Sequence, residues 1–149
     1  MKVSRHLTTA AVLATAALGG ALALAAPAGA APRTATVAAA TAGAAYNGAC
    51  GTGYTVIDST PVEDKGTVYV TYNKSNGKNC AVTIRNAPGA PVSMAVTLGI
   101  DAGRGAPAVV DNGFYTTYAG PVYLDARGQC ILWLGAIEGA LGNGHGHCG

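Results

Sequence analysis

A β-hairpin pattern at residues 66–86, GTVYVTYNKSNGKNCAVTIRN, constrains the fold of this chain more than any other stretch. Apolar and polar residues alternate on both sides of Gly77, which is the period of a strand with one buried face. A three-residue loop, 75–77, with Gly77 at positive φ, places the apolar residues of both strands on one face. The predicted pairs are Tyr72 with Cys80, Val70 with Val82 and Val68 with Ile84. A cysteine therefore lies on the predicted buried face.

A second hairpin is predicted for residues 122–134, with a loop at 126–128 that ends in Gly128. Its predicted pairs are Leu124 with Cys130 and Val122 with Leu132. No segment before Leu134 has a helical period, and turn residues recur at the spacing of roughly 8 to 12 residues that is typical of sandwiches. The sequence therefore predicts an all-β fold, an antiparallel β-sandwich of about seven or eight strands. The Gly-rich tail, 135–149, predicts no defined element.

The amino terminus has the features of a secretory signal peptide. Two cations precede an apolar run at residues 7–26, and Ala28-Gly29-Ala30 fits a small-x-small cleavage site, so we expect residues 1–30 to be removed on export. The alternative is a membrane anchor, because the run approaches the length of about 20 residues that spans a bilayer. Residues 31–45 predict a flexible Ala/Thr-rich linker, with a fraying helix as the alternative. Residues 46–149 predict one secreted domain.

The charge of the mature chain argues against nucleic acid as a partner. Of the nine Lys and Arg residues, Lys2 and Arg5 lie in the predicted leader, and the remaining seven balance the seven carboxylates. A neutral chain has no basic face that could release counterions from phosphates. We expect no nucleic-acid partner, and no membrane association after cleavage.

The four cysteines predict two disulfides, because an even count in an exported chain is typical of a disulfide framework. Pairing of Cys50 with Cys80 and of Cys130 with Cys148 is favoured, since each bond closes a local loop. The alternative joins Cys50 to Cys148 and Cys80 to Cys130. The wide spacing does not fit the close pairs of a zinc site, so we expect neither a metal nor another cofactor.

No constellation of catalytic residues is apparent. The serines of the mature chain lie outside any G-x-S-x-G motif, and its two histidines, His145 and His147, lie in the Gly-rich tail. One hypothesis is that these two histidines bind copper or zinc. The favoured alternative is that they lie in a solvated tail, because two ligands are fewer than the four of a structural metal site. The carboxylates that a glycosidase would need are interpreted as turn and surface residues. These are Asp101, Asp111, Asp125 and Glu138. We expect no enzymatic activity.

Three aromatic residues are candidates for stacking on sugar rings. In the predicted registers Tyr69, Tyr123 and Trp133 lie on the faces opposite the inward apolar residues. An exposed Tyr and Trp row on a sheet would form a platform for a polysaccharide. The alternative is that the second sheet of the sandwich covers that face and buries the rings.

Three stretches resemble a known family. Residues 46–56, 65–86 and 113–133, YNGACGTGYTV, KGTVYVTYNKSNGKNCAVTIRN and GFYTTYAGPVYLDARGQCILW, are similar to the spore-associated protein A family of small secreted proteins from sporulating filamentous actinobacteria. The resemblance implies an exported protein on the spore surface, and it implies no catalytic residue or ligand. Residues 101–108 and the tail after Trp133 depart from the family pattern.

Two functions are expected from these observations. The first is a non-enzymatic, secreted structural protein of the spore surface or cell wall, with spore-envelope or cell-wall components as partners. The alternative is a module that binds cell-wall or spore-coat polysaccharide through Tyr69, Tyr123 or Trp133.

Overall fold

The computed structural model describes residues 43–149 as eight β-strands and no helix. The predicted signal peptide and residues 31–42 of the predicted linker lie outside the described residues. The strands are β1 (Thr55–Val62), β2 (Gly66–Asn73), β3 (Lys78–Arg85), β4 (Val92–Ile100), β5 (Ala108–Tyr115), β6 (Tyr118–Asp125), β7 (Ile131–Ile137) and β8 (Ala140–Gly146). In this part of the chain no helix is long and apolar enough to cross a membrane.

The strands form two four-stranded antiparallel sheets that pack face to face. Sheet 1 has the order β1-β2-β3-β6, and sheet 2 has the order β5-β4-β7-β8. Consecutive strands form hairpins within a sheet, except that the chain changes sheet after β3, β5 and β6. The predicted all-β sandwich is therefore confirmed.

Both predicted disulfides are present. Cys50 is bonded to Cys80, and Cys130 is bonded to Cys148. The local pairing expected from the sequence is confirmed, and no free cysteine remains in the described part of the chain.

The predicted register of the first hairpin is wrong by one residue. The loop has four residues, 74–77, because the Asn73 carbonyl accepts a hydrogen bond from the Gly77 amide at 2.8 Å, and Asn73 pairs with Lys78. Gly77 does have the expected positive φ, +75°. Thr71 rather than Tyr72 is paired with Cys80, so the cysteine lies on the face opposite Val68 and Val70.

The cause of this error is that β3 is buried on both faces. Cys80, Val82 and Ile84 point away from the second sheet but are still buried. Alternation of apolar and polar residues identifies the register only where one face is exposed to water. The segment that precedes β1 covers this outer face.

The second predicted hairpin is wrong. β6 pairs with β3 in sheet 1, whereas β7 pairs with β4 and β8 in sheet 2. Gly128 has the expected positive φ, +70°, and the amide of Gln129 donates to the carbonyl of Ala126 in the turn. The turn directs the chain from one sheet to the other. Alternation within two strands predicts that each has an inward face, but it does not predict that they pair with each other.

The core lies between the sheets, where apolar residues from all eight strands except β5 are fully buried. At its centre Gly135 allows the sheets to approach, because a Cβ atom there would lie 2.7 Å from the Cβ atom of Val68. The buried apolar residues of the core are Val62, Val68, Val70, Ala81, Met94, Val96, Leu98, Ile100, Ala119, Val122, Ala126, Ile131, Trp133, Ile137 and Ala140. Close packing of this kind is the main source of stability for a sandwich.

The Gly-rich tail is part of sheet 2. Glu138 and Gly139, both at positive φ, form a two-residue turn that pairs Ile137 with Ala140. Positive φ at both central positions is the requirement of the turn type that suits a tight hairpin. Gly144 lies beneath the Trp133 ring, since a Cβ atom there would overlap the indole. Glycine in β8 therefore permits a strand that the composition of the tail did not predict.

Candidate functional site

The outer face of sheet 1 is covered by residues 43–54, which we call the N-terminal arm. The Ala44 amide donates to the side-chain oxygen of Asn86 at 2.8 Å, and the Ala44 carbonyl accepts from the Tyr69 hydroxyl at 2.7 Å. Farther along, the Cys50–Cys80 disulfide fixes the arm to β3. These contacts explain why the outward side chains of β3 are buried.

Four tyrosines surround this disulfide. The rings of Tyr46 and Tyr69 are 5.6 Å apart, and those of Tyr54 and Tyr123 are 5.5 Å apart in an edge-to-face arrangement. The Tyr123 hydroxyl donates to the Cys50 carbonyl at 3.2 Å. Burial raises the pKa of Tyr123, and Tyr54 and Tyr46 raise it further. The arm thus turns part of an open sheet face into a packed aromatic layer.

The three predicted stacking residues do not form one row. Tyr69 and Tyr123 share the outer face of sheet 1, where Tyr69 is half-buried and Tyr123 is 41% exposed. Trp133 faces the core, is 3% exposed and donates from Nε1 to the Thr60 hydroxyl at 2.9 Å. The outward orientation predicted for Trp133 is wrong because β7 belongs to sheet 2, and the buried alternative describes it correctly.

The carboxylates considered for catalysis have structural neighbours. Asp111 accepts hydrogen bonds from the Tyr115 hydroxyl at 2.6 Å and from the Gly120 amide at 2.7 Å, which ties β5 to β6. The bond to Asp111 is the main cause of the raised pKa of Tyr115, with smaller contributions from burial and from the Asp111 charge. Glu138 forms an exposed ion pair with Lys65 at 3.0 Å, and Asp125 is exposed at the end of β6.

His145 and His147 contact different carboxylates. His145 Nδ1 lies 3.6 Å from Asp101 Oδ2, and His147 Nε2 lies 3.0 Å from Asp58 Oδ2. Within residues 43–149 no three His, Cys, Asp or Glu side chains are grouped as they would be around a metal ion. The two histidines therefore belong to separate polar contacts.

One end of the sandwich opens into a cavity of ≈ 510 Å³, which we call the end cavity. It lies where the β2–β3 hairpin, the turn after β6 and the chain after β8 meet. Its lining residues are Ile57, Tyr72, Asn79, Ala126, Arg127, Gly128, His147, Cys148 and Gly149. Its size falls in the range of roughly 300 to 1,000 Å³ found for small-molecule sites.

Among the described residues, the outer face of sheet 2 carries no Asp, Glu, Lys or Arg side chain. Ladder pairing places on this face Ser93, Ala95, Thr97 and Gly99 of β4, Ala108, Val110, Asn112 and Phe114 of β5, Leu132, Leu134 and Ala136 of β7, and Leu141, Asn143 and His145 of β8. Phe114, Val110 and Leu141 are 77%, 58% and 54% exposed. These three apolar side chains lie on the two edge strands of the sheet, Phe114 and Val110 on β5 and Leu141 on β8.

Sequence reasoning missed three of these features. The arm was missed because residues 43–54 have no strand period, although their tyrosines were a signal of packing. The end cavity was missed because it depends on which sheet β6 and β7 join. The exposed apolar residues on the outer face of sheet 2, which we call the bare face, could be detected only in part. Val110 and Phe114 alternate with Asp111 and Gly113, which indicates a common face but not that this face is exposed.

The fold and these surfaces define a small, disulfide-stapled antiparallel β-sandwich protein. The chain is 51% identical over 89 residues to Spore-associated protein A of Streptomyces coelicolor. This similarity confirms the resemblance found in the sequence. The match covers 59% of this chain and 56% of the relative, so the chain spans little more than half of that protein's length. No family model matches the chain. No solved structure matches it either.

Proposed function

We propose that this chain is an exported, non-enzymatic structural protein of the spore surface or cell wall. The observation that carries the proposal is the outer face of sheet 2, with Phe114, Val110 and Leu141 exposed to water. Covering these side chains with another surface would remove their apolar area from water, which is favourable. The name of the relative supports the spore association.

The export part of the proposal rests on two further observations. Residues 1–30 have the composition of a signal peptide. The two disulfides suit an oxidising compartment outside the cytoplasm. We propose no enzymatic activity because two of the carboxylates considered for catalysis have structural contacts. Asp111 accepts a hydrogen bond from the Gly120 amide, and Glu138 forms an ion pair with Lys65.

Retention on spores tests the structural role. Purified secreted protein is incubated with spores that have been stripped of surface protein, and the bound fraction is measured by immunoblot after washing. We expect Phe114→Glu to reduce retention severalfold, because a carboxylate on the apolar face must be desolvated when the face is covered. Val56→Glu is the matched control, since Val56 is an exposed apolar residue of sheet 1. Equal retention of wild type and Phe114→Glu would refute the structural role of this face.

A polysaccharide-binding module is the second candidate function. The Tyr54 and Tyr123 pair favours it, because Tyr123 is a large aromatic residue that stays 41% exposed on sheet 1. In the same assay, with purified cell wall in place of spores, Tyr123→Ala would lose retention while Phe114→Glu would keep it. Retention of both variants would count against the module.

A further inference from the structure

We propose that the end cavity is a binding site for a sugar that carries a carboxylate group. The cavity of ≈ 510 Å³ combines the amide of a buried residue, an aromatic side chain and a guanidinium that forms no ion pair with any residue in the range 43–149. This site lies apart from the sheet 2 face and from Tyr123. The inference therefore goes beyond both functions proposed above, although it shares a ligand class with the second.

Asn79 supplies the buried polar group. The residue is 4% exposed, and its side-chain amide makes no hydrogen bond to another residue in the range 43–149. In that range no fully buried side-chain nitrogen or oxygen lacks a partner, so the amide must still reach open space, and the space that Asn79 lines is the cavity. The Asn79 amide can therefore donate and accept hydrogen bonds toward the cavity. It provides a matching site for an acetamido or hydroxyl group.

Arg127 supplies the charge. Its guanidinium lies against Gly77, where a Cβ atom would approach its Nε within 2.4 Å, and the absence of a side chain on Gly77 leaves room for it. Among the described residues Arg127 forms no ion pair, whereas His147, the other basic residue of the lining, contacts Asp58. The lining contains no Asp or Glu side chain. A guanidinium in this setting favours a carboxylate, which it can bind through two hydrogen bonds.

The apolar wall suits a ring. Tyr72 and Ile57 line the cavity and are each half-buried, so part of each side chain faces the space. Sugar rings present C–H groups to an aromatic side chain while their hydroxyl groups reach polar neighbours. An amide, a guanidinium and a tyrosine together therefore favour an acidic sugar over a purely apolar ligand or an inorganic ion.

The Cys130–Cys148 disulfide holds one wall of the site. It ties the chain at 147–149 to the start of β7, and all three of these residues line the cavity. A wall that is fixed covalently loses little conformational entropy when a ligand binds. This second disulfide thus has a use in the site beyond closing a loop.

A matched pair of sugars tests the proposal on the secreted chain with both disulfides intact. N-acetylmuramic acid has a carboxylate that N-acetylglucosamine lacks, and calorimetry or ligand-observed NMR measures the affinity for each. We expect the acid to bind about tenfold more tightly, as one charge-assisted hydrogen-bonded pair would give. Arg127→Gln should remove this preference, and Asn79→Leu should weaken both sugars. Arg104→Gln, in an exposed loop, should retain the preference.

The outcomes separate this site from the others. Arg127 is exposed, so Arg127→Gln should fold normally, and near-unchanged thermal unfolding would verify this. A preference for the acid that persists in Arg127→Gln would overturn the proposal, as would equal affinity for the two sugars or no binding of either at millimolar concentration. None of these results depends on whether Phe114→Glu still binds spores, so the two proposals fail independently.

Discussion

Single residues in this sandwich hold the strand ends where the chain changes sheet. Asp111 is the clearest case, because its carboxylate accepts a hydrogen bond from the Tyr115 hydroxyl of its own strand and another from the Gly120 amide of β6. Gly120 lies at a register shift in β6, where Ala119 and Val122 on either side of it are paired with β3 and Gly120 is not. Buried or half-buried polar groups at such a crossing must be satisfied locally.

The Asp111 contact makes stability depend on pH through Tyr115. The pKa of Tyr115 is raised above 10.0, chiefly by the hydrogen bond to Asp111. A group whose pKa is raised by folding contributes its stability below the unfolded pKa and loses it as the pH rises through the folded pKa. We therefore expect the free energy of unfolding to fall above pH 10, and Asp111→Asn to remove this part of the fall.

The pKa of Tyr115 is measured from the NMR signal of its ring carbon as the pH is changed. The free energy of unfolding is measured by urea unfolding. Asp111→Asn should lower the pKa of Tyr115 and destabilise the fold by on the order of 1 kcal/mol, since the amide group cannot accept from both donors. Asp125→Asn is the control, because Asp125 is exposed and its side chain lies outside this contact. An unchanged Tyr115 titration in Asp111→Asn would show that the hydrogen bond is not the cause.

At the scale of elements, alternation located the strands but not all their partners. The strands β2 and β3 lie where the pattern placed them, whereas β6 and β7 extend beyond the predicted range of 122–134, to Tyr118 and to Ile137. Both Gly77 and Gly128 have the expected positive φ. Pairing failed because β3 is buried on both faces and because β6 and β7 join different sheets. Both errors have one physical cause: the pattern records which side chains are buried, and not what covers them.

The candidate sites show the same limit. Tyr69 and Tyr123 were found as outward residues, whereas Trp133 was assigned to the wrong face because its strand was given the wrong partner. Asn79 and Arg127 are 48 positions apart in sequence. They line one cavity only because the turn after β6 returns to the end of the first hairpin. No local pattern contains that information.

The N-terminal arm should depend on its disulfide. We expect the double variant Cys50→Ala, Cys80→Ala to be destabilised by about 3 to 4 kcal/mol in the chain-entropy model, because the bond closes a loop with a sequence separation of 30. The Tyr123 and Tyr69 hydroxyls would lose the constraint that keeps their acceptors in place. Urea unfolding gives the free energy, and hydrogen exchange of residues 43–54 reports release of the arm.

The variant Cys130→Ala, Cys148→Ala provides the comparison. It removes a bond of sequence separation 18 that joins residues outside the arm, so it should leave exchange in the arm unchanged. If both double variants released the arm equally, the arm would be held by global stability and not by its own disulfide.

At the scale of the whole molecule, the two sheets differ in how they meet water. Sheet 1 is covered on its outer side by the arm and the tyrosine layer, whereas sheet 2 exposes Phe114, Val110 and Leu141. The two outer faces of the sandwich are therefore not equivalent. The proposed structural role assigns the contact with spore-surface material to the outer face of sheet 2, and the end cavity opens at one end of the sandwich.

The proposed export would bring the chain into an oxidising compartment, where disulfides form and persist. We expect the protein in the culture medium to begin at Ala31 and to contain no free thiol. Intact mass spectrometry before and after reduction measures both: cleavage removes residues 1–30, and reduction adds one hydrogen for each of the four cysteines. A protein that retains the leader, or that reacts with a thiol reagent without prior reduction, would contradict the proposed location. The bare face of sheet 2 would then have to be explained inside the cell, where spore-surface material is not its partner.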